Sequence, residues 1–187
     1  MGESEGPTPG HEVLDALATT FRAQKVMAEK AIVQVPDERL HTALDAETNS
    51  IAVIAKHLSG NLLSRFTDFL TSDGEKPWRD RDSEFLEDDA DRAEIMRRWE
   101  AGWACVLGAV AALTPEDLPR TVFIRSEAHT VALALHRSLA HVSYHTGQIV
   151  QIARMLSGPG WKTITVPRGG TREFNRSKGY MIDGPAR

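Results

Sequence analysis

The chain has 187 residues, a 41% hydrophobic fraction, a formal net charge of −4 and a pI near 6.0, enough apolar material for one core in one domain. Its acidic balance excludes a polyanion held by overall charge, so nucleic acid is not an expected partner. Cys105 is the single cysteine, which excludes an intramolecular disulfide; no basic and apolar signal pattern occupies Met1 to Gly10 and no run reaches about 18 apolar residues, so a cytoplasmic chain with no membrane partner is expected.

Residues 1–10 read as a flexible leader. From about His11 to Val35, Val13 or Leu14, Leu17, Phe21, Ala28 and Ile32 recur at helical spacing and Pro36 stops the run, which predicts a first helix. A second helix is expected from about Ala46 to Leu70, with Ile51, Ile54 or Ala55, Leu58, Leu62, Phe66 and Phe69 along one stripe and Asp73-Gly74 beyond its end. The segment TSDGEKPWRDRDSEF, residues 71–85, mixes turn formers with alternating charges and has no apolar stripe. It reads as an ordered connection pinned by Trp78.

A third helix is expected from about Asp88 to Leu113, starting in acids that suit a helix N-terminus and burying Ile95, Trp99, Val106, Val110 and Leu113. Thr121 to Arg125 is rich in β-formers and reads as a short extended or hairpin piece. A fourth helix runs from about Thr130 to Leu156, with Val131, Leu135, Leu139, Val142, Ile149, Ala153 and Leu156 as its buried face and Ser157-Gly158-Pro159-Gly160 as its terminator. Four amphipathic helices bury their stripes most simply against one another, so the fold class expected is an all-α four-helix bundle over residues 11–160. Residues 161–187 read as a loop-rich tail packed on it, with Phe174 and Tyr180 as anchors. The stretch 160–187 holds six basic residues against two acidic ones, which suits either a local anion site or a tail covering the acidic connection; the second reading is preferred.

His141 and His145 are four apart on the fourth helix, which puts both on one face with Cβ atoms about 5–6 Å apart. Two imidazoles so placed can share one ion, although a solvated face would carry the same pattern. His57 lies mid-helix in AKHLSGN, beside an apolar stripe, and supplies a possible third ligand. On that helix Ile54, His57, Asn61, Ser64 and Asp68 form a mostly polar strip able to line a cavity. Three neutral imidazoles leave a coordination position open for water or substrate, as catalytic rather than structural ions require; zinc leads, and nickel and iron are compatible. Val142 stands where a HExxH metalloprotease has its glutamate, which excludes that chemistry.

The remaining candidates have plainer readings. His129 and His136 read as surface residues or supports of the site, and His11 and His41 as polar residues near helix ends. Cys105 reads as a small buried hydrophobe beside Trp103 and Val106, and Trp99 and Trp103 as core packing. Tyr144 is expected to reach the neighbouring helix rather than a substrate.

His57 in KHLSGN together with HVSYHTGQI resembles the DinB-like superfamily of bacterial metal-binding bundles, over most of the chain. FTDFLTSDGEKPWRDRDSEF and WKTITVPRGGTREFN resemble a bacterial subgroup of it with no assigned role. The resemblance implies an up-down-down-up helix order, a divalent ion held by His57, His141 and His145, and a homodimer. Members similar in fold include bacillithiol S-transferases and the mycothiol-dependent maleylpyruvate isomerase, which implies a low-molecular-weight thiol as possible co-substrate, held as its thiolate. No further residue matches a catalytic position.

The function expected is therefore that of a metal-dependent transferase or hydrolase acting on a small molecule. The alternative is a non-catalytic metal-binding or interaction bundle.

Overall fold

The computed structural model describes residues 8–180. The leader expected over 1–10 falls mostly outside the described residues, as does the end of the tail, 181–187. The chain is mostly helical: α1 (Pro9–Ile32), α2 (Ile51–Phe66), α3 (Arg92–Ala111), α4 (Val131–Ser157) and α5 (Thr171–Ser177), with one small sheet, β1 (Thr121–Ile124) and β2 (Glu127–Thr130).

Caps decide where the helices begin. Pro9 starts α1 two residues before the expected His11, because its fixed φ and missing N–H suit a first helical turn. Ser50 Oγ accepts the Val53 amide at 3.1 Å, so α2 begins at Ile51 and not at Ala46. Asp91 does the same for α3 through the Glu94 amide at 2.8 Å, and Thr130 for α4 through Leu133 at 3.1 Å. Asp88, the expected start of α3, instead pairs with Lys56 and Arg98. At its other end α2 stops four residues short of Leu70, since Asp68 takes a left-handed φ of 49° that a helix cannot continue through.

The long helices pack α2 on α3 and α1 on α4, with α1 also meeting α3 and α2 meeting α4. Phe21, Leu58, Trp99, Trp103, Leu135 and Ile149 are fully buried between them. α2 is the most enclosed, with burial on every side rather than on one stripe. It lies so near α3 that a Cβ at Gly102 would stand 2.8 Å from the Ser59 Cα, so only glycine permits the approach. Val13 faces outward and Leu14 inward, which settles the phase of α1.

The connection 67–91 is ordered, but not by Trp78, which is 59% exposed. Buried polar groups hold it instead. Ser64 Oγ donates to the Gly74 carbonyl at 2.7 Å, and the carboxylate of Glu84, in the short helical turn Asp82–Phe85, receives both Nε and Nη2 of Arg79 at 2.8 Å. The hairpin expected near Thr121 exists. Its two-residue loop, Arg125-Ser126, has φ of 56° and 62°, the signature of a primed turn. Asp73 clamps that loop by accepting the Arg125 and Ser126 amides at 2.9 and 2.7 Å. The tail contains α5, a short helix not expected from sequence. Phe174 stacks on Tyr180 at 6.4 Å and Tyr180 is 58% exposed, so these two pair with each other and Tyr180 does not anchor the tail to the core. Trp161 and Ile164 pack on the core, and the Lys162 amide donates to Gln34. None of the helices in the described residues is long and apolar enough to cross a membrane.

Candidate metal centre

α2 and α4 bring His57, His141 and His145 together. Their ring centroids are 5.2, 5.0 and 4.6 Å apart pairwise, and one nitrogen of each lies within 4.8 Å of the others. His57 and His145 are buried and His141 half-buried. No further His, Cys, Asp or Glu joins the set among the described residues.

The outward nitrogens of two of these rings are already engaged. His57 Nδ1 lies 2.9 Å from Glu84 Oε2, and His145 Nδ1 lies 2.7 Å from Gln148 Oε1. Both partners accept, so each Nδ1 carries the proton and each Nε2 keeps a lone pair toward the centre. A carboxylate or amide oxygen behind an imidazole is the usual support of a histidine metal ligand. His57 Nε2 and His141 Nε2 are 3.2 Å apart. Two nitrogens bound tetrahedrally at about 2.0–2.1 Å stand about 3.3 Å apart, so the spacing suits one shared ion. The His141 Nδ1 is buried without a hydrogen-bond partner.

Electrostatics keeps His141 and His145 neutral. Burial, then the positive charge of neighbouring His145, His57, Arg65 and Arg79, pushes His141 down to about 3. Burial and His57 push His145 down to about 4, against the Gln148 hydrogen bond. Neutral imidazole is the form that binds a metal. Burial alone would raise the Glu84 carboxyl, but hydrogen bonds from His57 and Arg79 outweigh it and hold Glu84 below its ordinary value. The donor set therefore fits a divalent ion, with imidazole nitrogens suited to zinc, nickel or iron.

Glu84 is the residue that sequence reasoning missed. It sits among Asp80, Asp82, Glu87, Asp88 and Asp89, and nothing local distinguishes it. Its neighbour Phe85 packs on His57 with ring centroids 4.5 Å apart, and the Arg81 guanidinium lies over the Phe85 ring at 4.9 Å. Gly60 carries a legible trace of the arrangement only in hindsight: a Cβ there would stand 2.2 Å from Glu84 Oε1.

Of the polar strip expected on α2, His57 and Asn61 line a cavity of about 210 Å³ beside the imidazoles. Ser64 does not; it ties down the connection, and Arg65, four residues after Asn61, takes its place in the wall. Asp68 lies beyond the helix.

Tyr144 is 64% exposed, touching Gln148 rather than a neighbouring helix. His129 is buried, with Nδ1 on the Glu127 carbonyl and Nε2 facing Arg137 Nη1 at 2.8 Å, and stays out of the imidazole cluster. His136 and His41 also lie apart from it. Cys105 is only half-buried, 3.7 Å from Thr67 Oγ1, while Trp99 and Trp103 are core residues as expected.

Residues 9–170 match the model of a family described as "Protein of unknown function (DUF1572)". No curated protein and no solved structure matches the chain. With the match spanning all four long helices, the hairpin and the three clustered histidines, the chain belongs to the DUF1572 family.

Proposed function

We propose that this protein is a metal-dependent enzyme of DinB-like type, a four-helix bundle of up-down-down-up order that holds a divalent ion, zinc foremost, on His57, His141 and His145. The observation that carries the reading is the pair of supported imidazoles: Glu84 and Gln148 each fix a proton on Nδ1 and leave Nε2 free on the inner side. The helix order is supported by the packing of α2 on α3 across a long connection and of α1 on α4.

An ion in this position would supply Lewis-acid activation of a water or of a low-molecular-weight thiol, lowering its pKa toward neutrality. The chain's own residues do the rest. Phe85 covers one face of His57 and excludes water from it. Glu84, held ionised by Arg79, keeps His57 in one tautomer and strengthens it as a ligand. Three protein ligands would leave a coordination position for water or substrate, as a catalytic ion requires and a structural zinc, with four, does not. The chemistry this supports is transfer to, or hydrolysis of, a small molecule, in a cytoplasmic homodimer.

The test is elemental analysis of protein purified without a metal-affinity step, for the wild type and for the His141→Ala/His145→Ala variant. About one zinc, nickel or iron per wild-type chain, lost in the variant, is the expected result. A wild type that carries no metal and takes none up on addition overturns the proposal.

A further inference from the structure

The cavity beside the imidazoles is lined by four arginines, Arg65, Arg81, Arg125 and Arg137, and by no carboxylate. They come from four places: α2, the connection after it, the hairpin loop and the second turn of α4. On α2 the wall repeats every fourth residue as His57, Asn61 and Arg65; on α4 Arg137 stands one turn before His141. Each helix thus places a guanidinium on the same face as an imidazole. Along α4 the two are about 6 Å apart.

The carboxylates that steady these arginines do not line the cavity. Glu75 meets Arg65 at 3.4 Å and Arg125 at 3.0 Å, and Glu127 meets Arg137 at 3.5 Å. Arg81 makes no ion pair among the described residues and rests on the Phe85 ring. Asn61 and Ser138 also face the cavity, both more than nine-tenths buried, and neither side chain hydrogen-bonds a protein group among the described residues. Their polar atoms open onto the cavity and are free to meet a ligand there. Arg125 reaches the wall from the primed turn of the hairpin, at φ 56°, with its amide donating to Asp73.

We propose that this cavity binds a small anionic molecule, bearing a carboxylate or a phosphate, with its charged group on Arg81, Arg125 and Arg137 and its reacting end at the imidazoles. Guanidiniums match both groups by paired N–H donors. At about 210 Å³ the space is smaller than a drug-sized pocket and suits a compact metabolite. Asn61 and Ser138 then meet the polar atoms between the two ends. The inference rests on the metal reading only for which end of the molecule reacts; the anion grip belongs to the arginines.

Calorimetric titration of the full chain with inorganic phosphate and with malonate tests it, at constant ionic strength, on zinc-loaded and chelator-stripped protein. Both forms of the wild type are expected to bind at least one of the two anions, and the preferred one names the charged group. Arg81→Gln and Arg137→Gln each weaken binding tenfold or more with zinc content unchanged, while Arg154→Gln, an exposed arginine further along α4, leaves it as it was. Arg81 is itself exposed, so its variant folds and keeps the test decisive. Absence of binding by the wild type overturns the proposal. So does binding that requires zinc and survives both substitutions, which places the anion on the ion, or equal loss in the Arg154 variant, which makes it diffuse attraction. Anion binding by a protein that takes up no zinc leaves this inference standing while the metal reading falls.

Discussion

Among the described residues, two histidine–carboxylate pairs join the α2 side of the molecule to the connection before α3, and they have opposite fates. His57 Nδ1 meets Glu84 at 2.9 Å in the interior, and its Nε2 points at two other imidazoles. His41 Nδ1 meets Glu87 at 2.7 Å near the surface, and its Nε2 is spent on the Ala90 carbonyl at 2.9 Å. The pairs are chemically alike. What makes an imidazole available as a ligand is where its second nitrogen is left pointing, and how far the pair is removed from water.

The contrast is broken hardest by deleting each carboxylate. Glu84→Ala leaves Arg79, whose side chain is 2% exposed, buried with only the longer contact to Glu75 at 3.5 Å, so urea denaturation is expected to show a loss of about 3 kcal/mol. Glu87→Ala removes a half-exposed partner and is expected to cost less than about 1 kcal/mol. The conservative changes separate support from stability: Glu84→Gln is expected to weaken zinc binding about 10–100-fold in a chelator competition, and Glu87→Gln to leave it unchanged.

Gly60→Ala approaches the same pair from behind. Its Cβ would meet Glu84 Oε1 at 2.2 Å, so a destabilisation of about 1–3 kcal/mol with reduced zinc affinity is expected. Gly147→Ala, on α4 with open space around it, is expected to be neutral or to stabilise by up to about 1 kcal/mol through helix propensity. A zinc affinity untouched by Gly60→Ala would show that Glu84 does not govern His57.

The finest separation is in pH. His141 and His145 titrate below the ordinary 6.5 when folded, so their contribution is complete above 6.5 and is lost as pH falls toward about 4 and 3. His41 behaves oppositely: burial lowers it, but Glu87 and the Ala90 carbonyl outweigh burial and raise it. Its contribution is complete below 6.5 and is lost as pH rises above that value. For metal-free protein, urea midpoints are expected to fall less on acidification in His141→Gln/His145→Gln, and less on the alkaline side in His41→Gln. Parallel curves for all three proteins would remove the distinction.

Part of this site is encoded by local signals in the sequence. The cluster partners His57, His141 and His145 were legible because i, i+4 spacing and a polar residue in an apolar helix are local signals. On α2 the same logic gave the wrong wall residue, Ser64 in place of Arg65, because a helical stripe can continue by three or by four residues and only the packing against α4 chooses. The starts of α2 and α3 are set by the side-chain caps Ser50 and Asp91 and not by the hydrophobic periodicity that suggests earlier ones. Trp78 misled because size suggested burial where hydrogen bonds from Ser64 and the Arg79–Glu84 pair did the anchoring.

By itself the amino-acid sequence determined that four amphipathic helices form, that a short hairpin precedes the last, and that three histidines stand on inward-facing stretches of two of them, since periodicity, caps and turn residues act within a few positions along the chain. Which of six nearby acids supports His57, and which four arginines converge on one cavity, was decided only in the tertiary structure. Glu84 lies 27 residues from His57 and Arg137 lies 72 from Arg65, and contacts at such separations follow from how helices pack, which no short stretch of sequence encodes.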